Sequence, residues 1–227
     1  MAKREKKAAA DRDGGGESPN GAADFVPAEP SLEAARGAAA GCRGCGLFRR
    51  ATQTVFGEGA LHARIMLIGE TPGDREDVAG RPFVGPAGQL LDRALDAVGI
   101  DRSAVYVTNV VKHFKWEPRG KRRLHKRPLP SEIAACMPWL LREIELVRPE
   151  IIVCLGATAG QALFGSRFSV TRERGRFLAS RHAPYVLATL HPSALLRIRE
   201  TDERAAAFER FVADLALVND AKLEPPR

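Results

Sequence analysis

The stretch Ala63-Arg64-Ile65-Met66-Leu67-Ile68-Gly69-Glu70-Thr71-Pro72-Gly73 decides the fold class. Its first half is an apolar run too short for a helix, and its second half is a turn punctuated by Gly and Pro. It reads as a buried strand running out into a loop, with one carboxylate, Glu70, at the exit. Three other runs share this character: Val105-Tyr106-Val107-Thr108, Ile151-Ile152-Val153-Cys154-Leu155 and Tyr185-Val186-Leu187-Ala188-Thr189-Leu190. Helical patterns lie between and after them. Residues 85–98 place Leu90, Leu91, Ala94, Leu95 and Val98 on one face, and residues 131–146 carry Ile133, Cys136, Trp139, Leu140 and Ile144. Residues 157–164 and 202–217 complete the set. Strands alternating with helices imply an α/β fold with a parallel sheet covered on both faces. In such sheets ligands bind beyond the carboxyl ends of the strands. That rule sets residues 69–73, Asn109, Gly156 and His191-Pro192-Ser193-Ala194-Leu195 along one rim.

The 227 residues suffice for one sizeable α/β core plus a tail. Residues 1–30 read as a disordered N-terminal tail, because Gly14-Gly15-Gly16-Glu17-Ser18-Pro19-Asn20-Gly21 cannot bury a core. A single domain is expected over 31–220, opening with Ser31 as the cap of a short helix, with 221–227 as a C-terminal tail. The net charge is +7; residues 1–35 hold five Lys/Arg and seven Asp/Glu, so the remainder carries +9. The folded part is therefore the basic part, which favours a nucleic-acid partner. No apolar run reaches the roughly 18 residues of a membrane span, and the N-terminus has no secretory pattern.

The charge is concentrated. Between Lys112 and Arg127 stand eight Lys/Arg against one acid, Glu117, in a segment without a helical apolar stripe. A solvated surface loop would look this way, and so would a loop that meets a polyanion. At its centre is Lys121-Arg122-Arg123-Leu124-His125, with a single histidine among the cations.

Four cysteines in such a chain point to metal or thiol chemistry rather than disulfides. Cys42-Arg43-Gly44-Cys45 is a C-x-x-C pair in a Gly-rich stretch, compatible with zinc, an iron–sulfur cluster or a redox pair. It does not open a helix in a thioredoxin-like unit, so redox chemistry is the least favoured. Cys136, early in a helix, and His113, just after a strand, complete a sensible ligand set. Cys154 lies inside an apolar strand and reads as a small core residue.

Together these pieces resemble a known group. Cys42 to Cys45, residues 69–95, Val105 to Trp116, the basic loop and residues 191–197 are similar to the iron–sulfur uracil-DNA glycosylases of family 4 and to the closely related X-type. Family 4 has Val-Lys-Cys where this chain has Val111-Lys112-His113. The X-type has the histidine and a Lys-Arg-Arg-Ile-His loop, from which this chain departs only at Leu124. Thr71 departs from the glutamine usual in the X-type. The resemblance implies a three-layer α/β/α fold with a four-stranded parallel central sheet. It implies a [4Fe–4S] cluster on Cys42, Cys45, Cys136 and His113. It further implies a cytoplasmic bacterial protein, expected as a monomer, acting on uracil-containing DNA, single- or double-stranded.

Each rim residue then has an expected task. An extruded base needs a stacking face, supplied by Phe83, and an edge reader, supplied by the Asn109 amide, whose donors and acceptors suit uracil rather than cytosine. Gly69, Thr71 and Asp74 border the uracil, and Asp74 and Glu76 also complement a helix start. His191 is expected to donate to the charge growing on uracil O2, and Glu70 to stabilise the cationic sugar. Lys121, Arg122 and Arg123, with Ser193 and Arg197, are expected on the DNA-facing side. His125 carries the sharpest expectation: its neutral imidazole bonds to C1′ and leaves a covalent, single-turnover adduct, as the X-type resemblance implies. The competing expectations are an ordinary turnover glycosylase, in which His125 only contacts phosphate, and a non-catalytic uracil-DNA binding module.

Overall fold

The computed structural model describes Ser18 and residues 20–220. Along the chain come α1 (Leu32–Ala39), β1 (Glu58–Gly59), β2 (Ile65–Gly69), α2 (Asp74–Ala79), α3 (Pro86–Ala97) and β3 (Val105–Asn109). Next are β4 (Trp116–Arg119), β5 (Arg122–His125), α4 (Pro130–Val147), β6 (Ile151–Leu155) and α5 (Ala157–Phe164). The last are α6 (Val170–Glu173), β7 (Phe177–Leu178), β8 (Tyr185–Thr189), α7 (Pro192–Leu195) and α8 (Thr201–Asp220).

The four apolar runs form the expected parallel sheet, in the order β3-β2-β6-β8. Every residue of β2, β3 and β6 is buried, as befits strands covered on both faces. Alternation along each strand sends side chains to opposite cores. Met66, Ile68, Tyr106, Ile152 and Cys154 pack on the side of α1 and α4. Ile65, Leu67, Val105, Ile151 and Val153 pack on the side of α3 and α8. The result is a three-layer α/β/α arrangement, and Cys154 is the core residue the sequence indicated. Among the described residues, no helix is long and apolar enough to cross a membrane.

Three features depart from expectation. Two-residue antiparallel strands, β1 and β7, extend the sheet to six; they are too short to leave a periodic signature. The basic loop is a β-hairpin, β4 paired with β5, with Trp116 opposite His125. Finally, structure begins before residue 31: Gly21–Phe25 is a 3-10 turn with Ala22 buried. Gly21 lies so close to Ala135 of α4 that a Cβ would come within 2.8 Å of its backbone, and Arg142 binds the carbonyls of Pro27, Ala28 and Glu29. Close backbone approach and carbonyl capture hold this segment, and neither appears as hydrophobic pattern. Residues 1–17 and 19 of the tail expected over 1–30, and the C-terminal tail expected over 221–227, lie outside the described residues. Ser31 caps α1 as expected, accepting from Ala34 N–H at 3.2 Å.

Candidate active site

The carboxyl ends of the parallel strands open into a crevice of about 890 Å³. Glu70, Thr71, Asp74, Phe83, Asn109, His125, His191, Ser193 and Arg197 all line it, which brings together residues far apart in sequence. Gly69 lies beneath: a Cβ there would overlap both Asn109 Oδ1 and the Phe83 ring, so the glycine lets those two side chains meet. Phe83 takes a left-handed backbone, φ 56°, with its ring buried, and stacks on His191 with centroids 6.1 Å apart and planes at 27°. Asn109, at the end of β3, is 3% exposed.

His191 precedes α7 and accepts the Ser193 N–H at Nδ1, 3.1 Å away. An Nδ1 acceptor places the proton of the neutral ring on Nε2. Burial, with lesser contributions from His125 and Arg197, pushes the His191 pKa down to about 4, so the ring is neutral near pH 7. Gly156, φ +92°, lets His191 approach the end of β6; a Cβ would lie 2.9 Å from the His191 Cβ. Arg197 braces the same turn by donating to the Ser193 carbonyl at 3.1 Å and to its hydroxyl at 3.3 Å.

Glu70 is held from the side. The Thr158 hydroxyl donates a short hydrogen bond to its Oε2, and Arg127 lies 3.6 Å from the same oxygen while also donating to Thr158 Oγ1. Sequence reasoning missed both partners. Thr158 stands two residues beyond the rim glycine Gly156, which was the available signal. Thr71 turns its hydroxyl to the His113 carbonyl at 2.9 Å. Glu76 accepts the Gly85 N–H at 2.9 Å and so ties α2 to the start of α3.

The hairpin forms the opposite lip. Its stem is closed by a hydrogen bond from Lys126 N–H to the Lys115 carbonyl, 2.9 Å. His125 is exposed, and its ring borders the crevice 5.9 Å from the Phe114 centroid. Its pKa is lowered chiefly by burial and less by Arg197, against the opposing pull of Glu70 and Glu76. Protonation of this imidazole is thus disfavoured by its surroundings in the crevice.

The cations also divide. Arg123 ion-pairs with Asp74 and Asp77, each at 2.5 Å, and lies over the Phe114 and Trp116 rings. Its guanidinium anchors the hairpin, a task other than the phosphate contact expected of it. Lys112 is fully buried, Lys115 pairs with Glu132, and Lys126 pairs with Glu117. Arg119, Lys121 and Arg122 are exposed, and no ion pair to them occurs among the described residues.

The expected ligands Cys42, Cys45, Cys136 and His113 are all buried, 7% exposed or less. The Cys136 thiol is pushed up to about 12 by burial, and Cys45 and Cys42 lie near enough to push it the same way. Two of the sulfurs accept N–H bonds: Trp139 Nε1–H to Cys42 and Lys112 N–H to Cys136, each 3.3 Å. Three buried soft donors, two of them with N–H groups at sulfur, beside an imidazole kept neutral by burial, suit a thiolate-held cluster in donor chemistry. The ligand set is nevertheless not closed: among the described residues no three His, Cys, Asp or Glu side chains gather closely enough to hold a metal ion. His113 instead places Nε2 3.0 Å from Thr54 Oγ1.

Comparison with known proteins gives the family. The model of the uracil DNA glycosylase superfamily matches residues 56–216. A type-4 uracil-DNA glycosylase of Thermotoga maritima is 43% identical over 169 residues, 74% of this chain and 84% of that protein. Type-4 uracil-DNA glycosylases of Sulfurisphaera tokodaii and Archaeoglobus fulgidus are 39% and 38% identical, covering 73% and 68% of this chain and 76% and 78% of their own lengths.

Proposed function

This chain belongs to the uracil DNA glycosylase superfamily, and from that membership we propose that it excises uracil from DNA and then captures the sugar on His125. The observation that carries the proposal is the crevice itself, in which Glu70 and His125 face the same space as Asn109, Phe83 and His191. An extruded uracil stacks on Phe83 and is read by the Asn109 amide, whose preference excludes cytosine. As the C1′–N1 bond breaks, its electron pair leaves with uracil. His191 Nε2–H donates to O2, where the charge grows. Glu70, fixed by Thr158, stabilises the cationic sugar.

C1′ then takes an electron pair from a ring nitrogen of His125, and the other ring nitrogen releases its proton to solvent or to Glu70. A tethered nucleophile acts at an effective concentration of roughly 10⁵ M or more when well oriented, against about 55 M for water. Capture by His125 therefore outruns hydrolysis. Exposed Lys121 and Arg122 supply phosphate contacts to the same strand. These features resemble the X-type.

We also assign Cys42, Cys45, Cys136 and His113 to a [4Fe–4S] cluster. Bound there, it would join the C-x-x-C loop, the segment after β3 and α4 through these four side chains. Cys136→Ala should lower iron and sulfide content and visible absorbance together; protein that carries zinc in full instead would exclude the cluster.

A second reading is ordinary turnover with release of an abasic site, and the type-4 names of the relatives favour it. Denaturing electrophoresis with uracil-DNA separates the two. A band that survives heat and SDS, with the DNA mapped to His125 by peptide mass spectrometry, supports capture. In that case His125→Ala still removes uracil but leaves alkali-labile DNA. A heat-stable band in His125→Ala would refute capture by this residue, and alkali-labile DNA from the unaltered protein would establish turnover.

A further inference from the structure

Three residues beyond Asn109 the chain turns back on itself and buries a cation. Lys112 is fully enclosed. Its ammonium donates to Glu143 Oε2 at 2.5 Å, to Thr108 Oγ1 at 2.7 Å and to the Asn109 carbonyl at 2.6 Å, which uses all three of its protons. Glu143, on α4 and equally buried, accepts in addition from Gly57 N–H at 2.8 Å, Tyr106 Oη at 3.1 Å and Thr108 Oγ1 at 2.9 Å. The network is therefore closed at both ends.

The sheet does not require it. Ladder-like bonds from Val110 N–H to the Gly69 carbonyl and from Val111 N–H to the Glu70 carbonyl already complete the pairing, both at 3.0 Å. Well-packed apolar residues in place of a buried ion pair are often as stable or more so. What the pair clamps is more telling than its stability. It holds the backbone of Asn109 and the side chain of its neighbour Thr108, at the point where β3 delivers Asn109 to the crevice. The Asn109 carboxamide has little freedom, since its Oδ1 rests where Gly69 would carry a Cβ. A small movement of the Asn109 backbone is passed directly to the edge reader.

We infer that the Lys112–Glu143 pair is a positioning device that fixes the Asn109 backbone, and through it the selectivity of the crevice for uracil. The inference rests on the reading of Asn109 as the residue that recognises the base. Uracil and cytosine present opposite donors and acceptors to that amide, so its placement sets the discrimination, and an error near 1 Å costs about 10²-fold in rate.

The test uses Lys112→Met combined with Glu143→Gln in the full chain. The combination removes both charges and the donor to Asn109, while the amide oxygen introduced at position 143 remains an acceptor for Gly57 and Tyr106. Single-turnover excision from uracil-containing oligonucleotide and inhibition by free uracil are measured beside melting temperature, with Asn109→Ala as comparator. Excision slowed by about 10- to 100-fold, with inhibition by free uracil weakened about 10-fold, in a cooperatively melting protein supports the inference. A lower melting temperature with inhibition unchanged in the pair variant but weakened in Asn109→Ala overturns it and leaves the Asn109 reading standing. Inhibition unchanged in both variants overturns both. Should the variant not fold, Lys112→Gln with Glu143→Gln keeps shorter uncharged donors and is scored in the same way.

Discussion

The two lips of the crevice are built differently. On the sheet side, Asn109 and Phe83 are buried and fixed by strand ends, by Gly69 and by the charge network beneath. On the hairpin side, Lys121, Arg122, Leu124 and His125 are exposed, and Arg123 ties the element to α2 through Asp74 and Asp77. The residues proposed to recognise the base are thus set within the folded core. The residue proposed to decide the fate of the sugar, once the base has left, stands on a mostly exposed element outside the central sheet.

The comparison can be broken by measurement, and the largest effect is expected on the sheet side. Glu143→Ala alone leaves Lys112 buried without its counter-charge and should cost about 3–5 kcal/mol in urea unfolding; a loss below about 1 kcal/mol would show the two sides to be equally replaceable. Acid provides the next effect. The folded pKa of His191 is about 4, below the unfolded value of 6.5. The unfolded chain therefore takes up this proton first. The associated stability is present above pH 6.5 and is lost as pH falls toward 4, by at most about 3 kcal/mol. His191→Gln should flatten that part of the urea-unfolding profile between about pH 7 and pH 4.5.

Effects on the hairpin side should be smaller and of another kind. Asp77 accepts from Thr52 and from Arg123, so Asp77→Asn should cost about 1.5–3 kcal/mol and lower the yield of adduct more than the rate of uracil release. Equal losses in both would show that the hairpin also serves base excision. Smallest of all, Arg122→Ala should leave stability within about 0.5 kcal/mol while reducing the slope of log affinity against log salt by about one for a lost phosphate contact.

The legible parts of this molecule were those written as periodicity. All four parallel strands and the helices α3, α4, α5 and α8 follow from apolar spacing, and the rim residues follow from where those strands end. Ser31 as a cap was legible because its side chain acts on its own helix. The hairpin was not, since β4 (Trp116-Glu117-Pro118-Arg119) and β5 (Arg122-Arg123-Leu124-His125) show no alternation of apolar with polar side chains. The cation count misled in part: Lys112 and Arg123 are spent on internal partners, which depend on residues 31 and 46 positions away. Glu143 did leave a trace, an acid on the apolar face of α4 beside Trp139 and Leu140. Thr158 and Arg127 meet Glu70 only because three separate segments converge, which no local pattern records.

The closed stem of the hairpin has a further consequence. Because Lys126 bonds back to Lys115, the chain enters and leaves this element at adjoining points. Residues 116–125 can be lengthened, exchanged or deleted with little change in the entropy of closing the loop. For evolution, a crevice of this kind can therefore acquire or discard a nucleophile through one local insertion, with no renegotiation of the sheet. For engineering, the hairpin is a cassette: a related scaffold whose strands end in the same way could receive it, given acids placed to receive Arg123 and a carbonyl where Arg50 here accepts from Trp116.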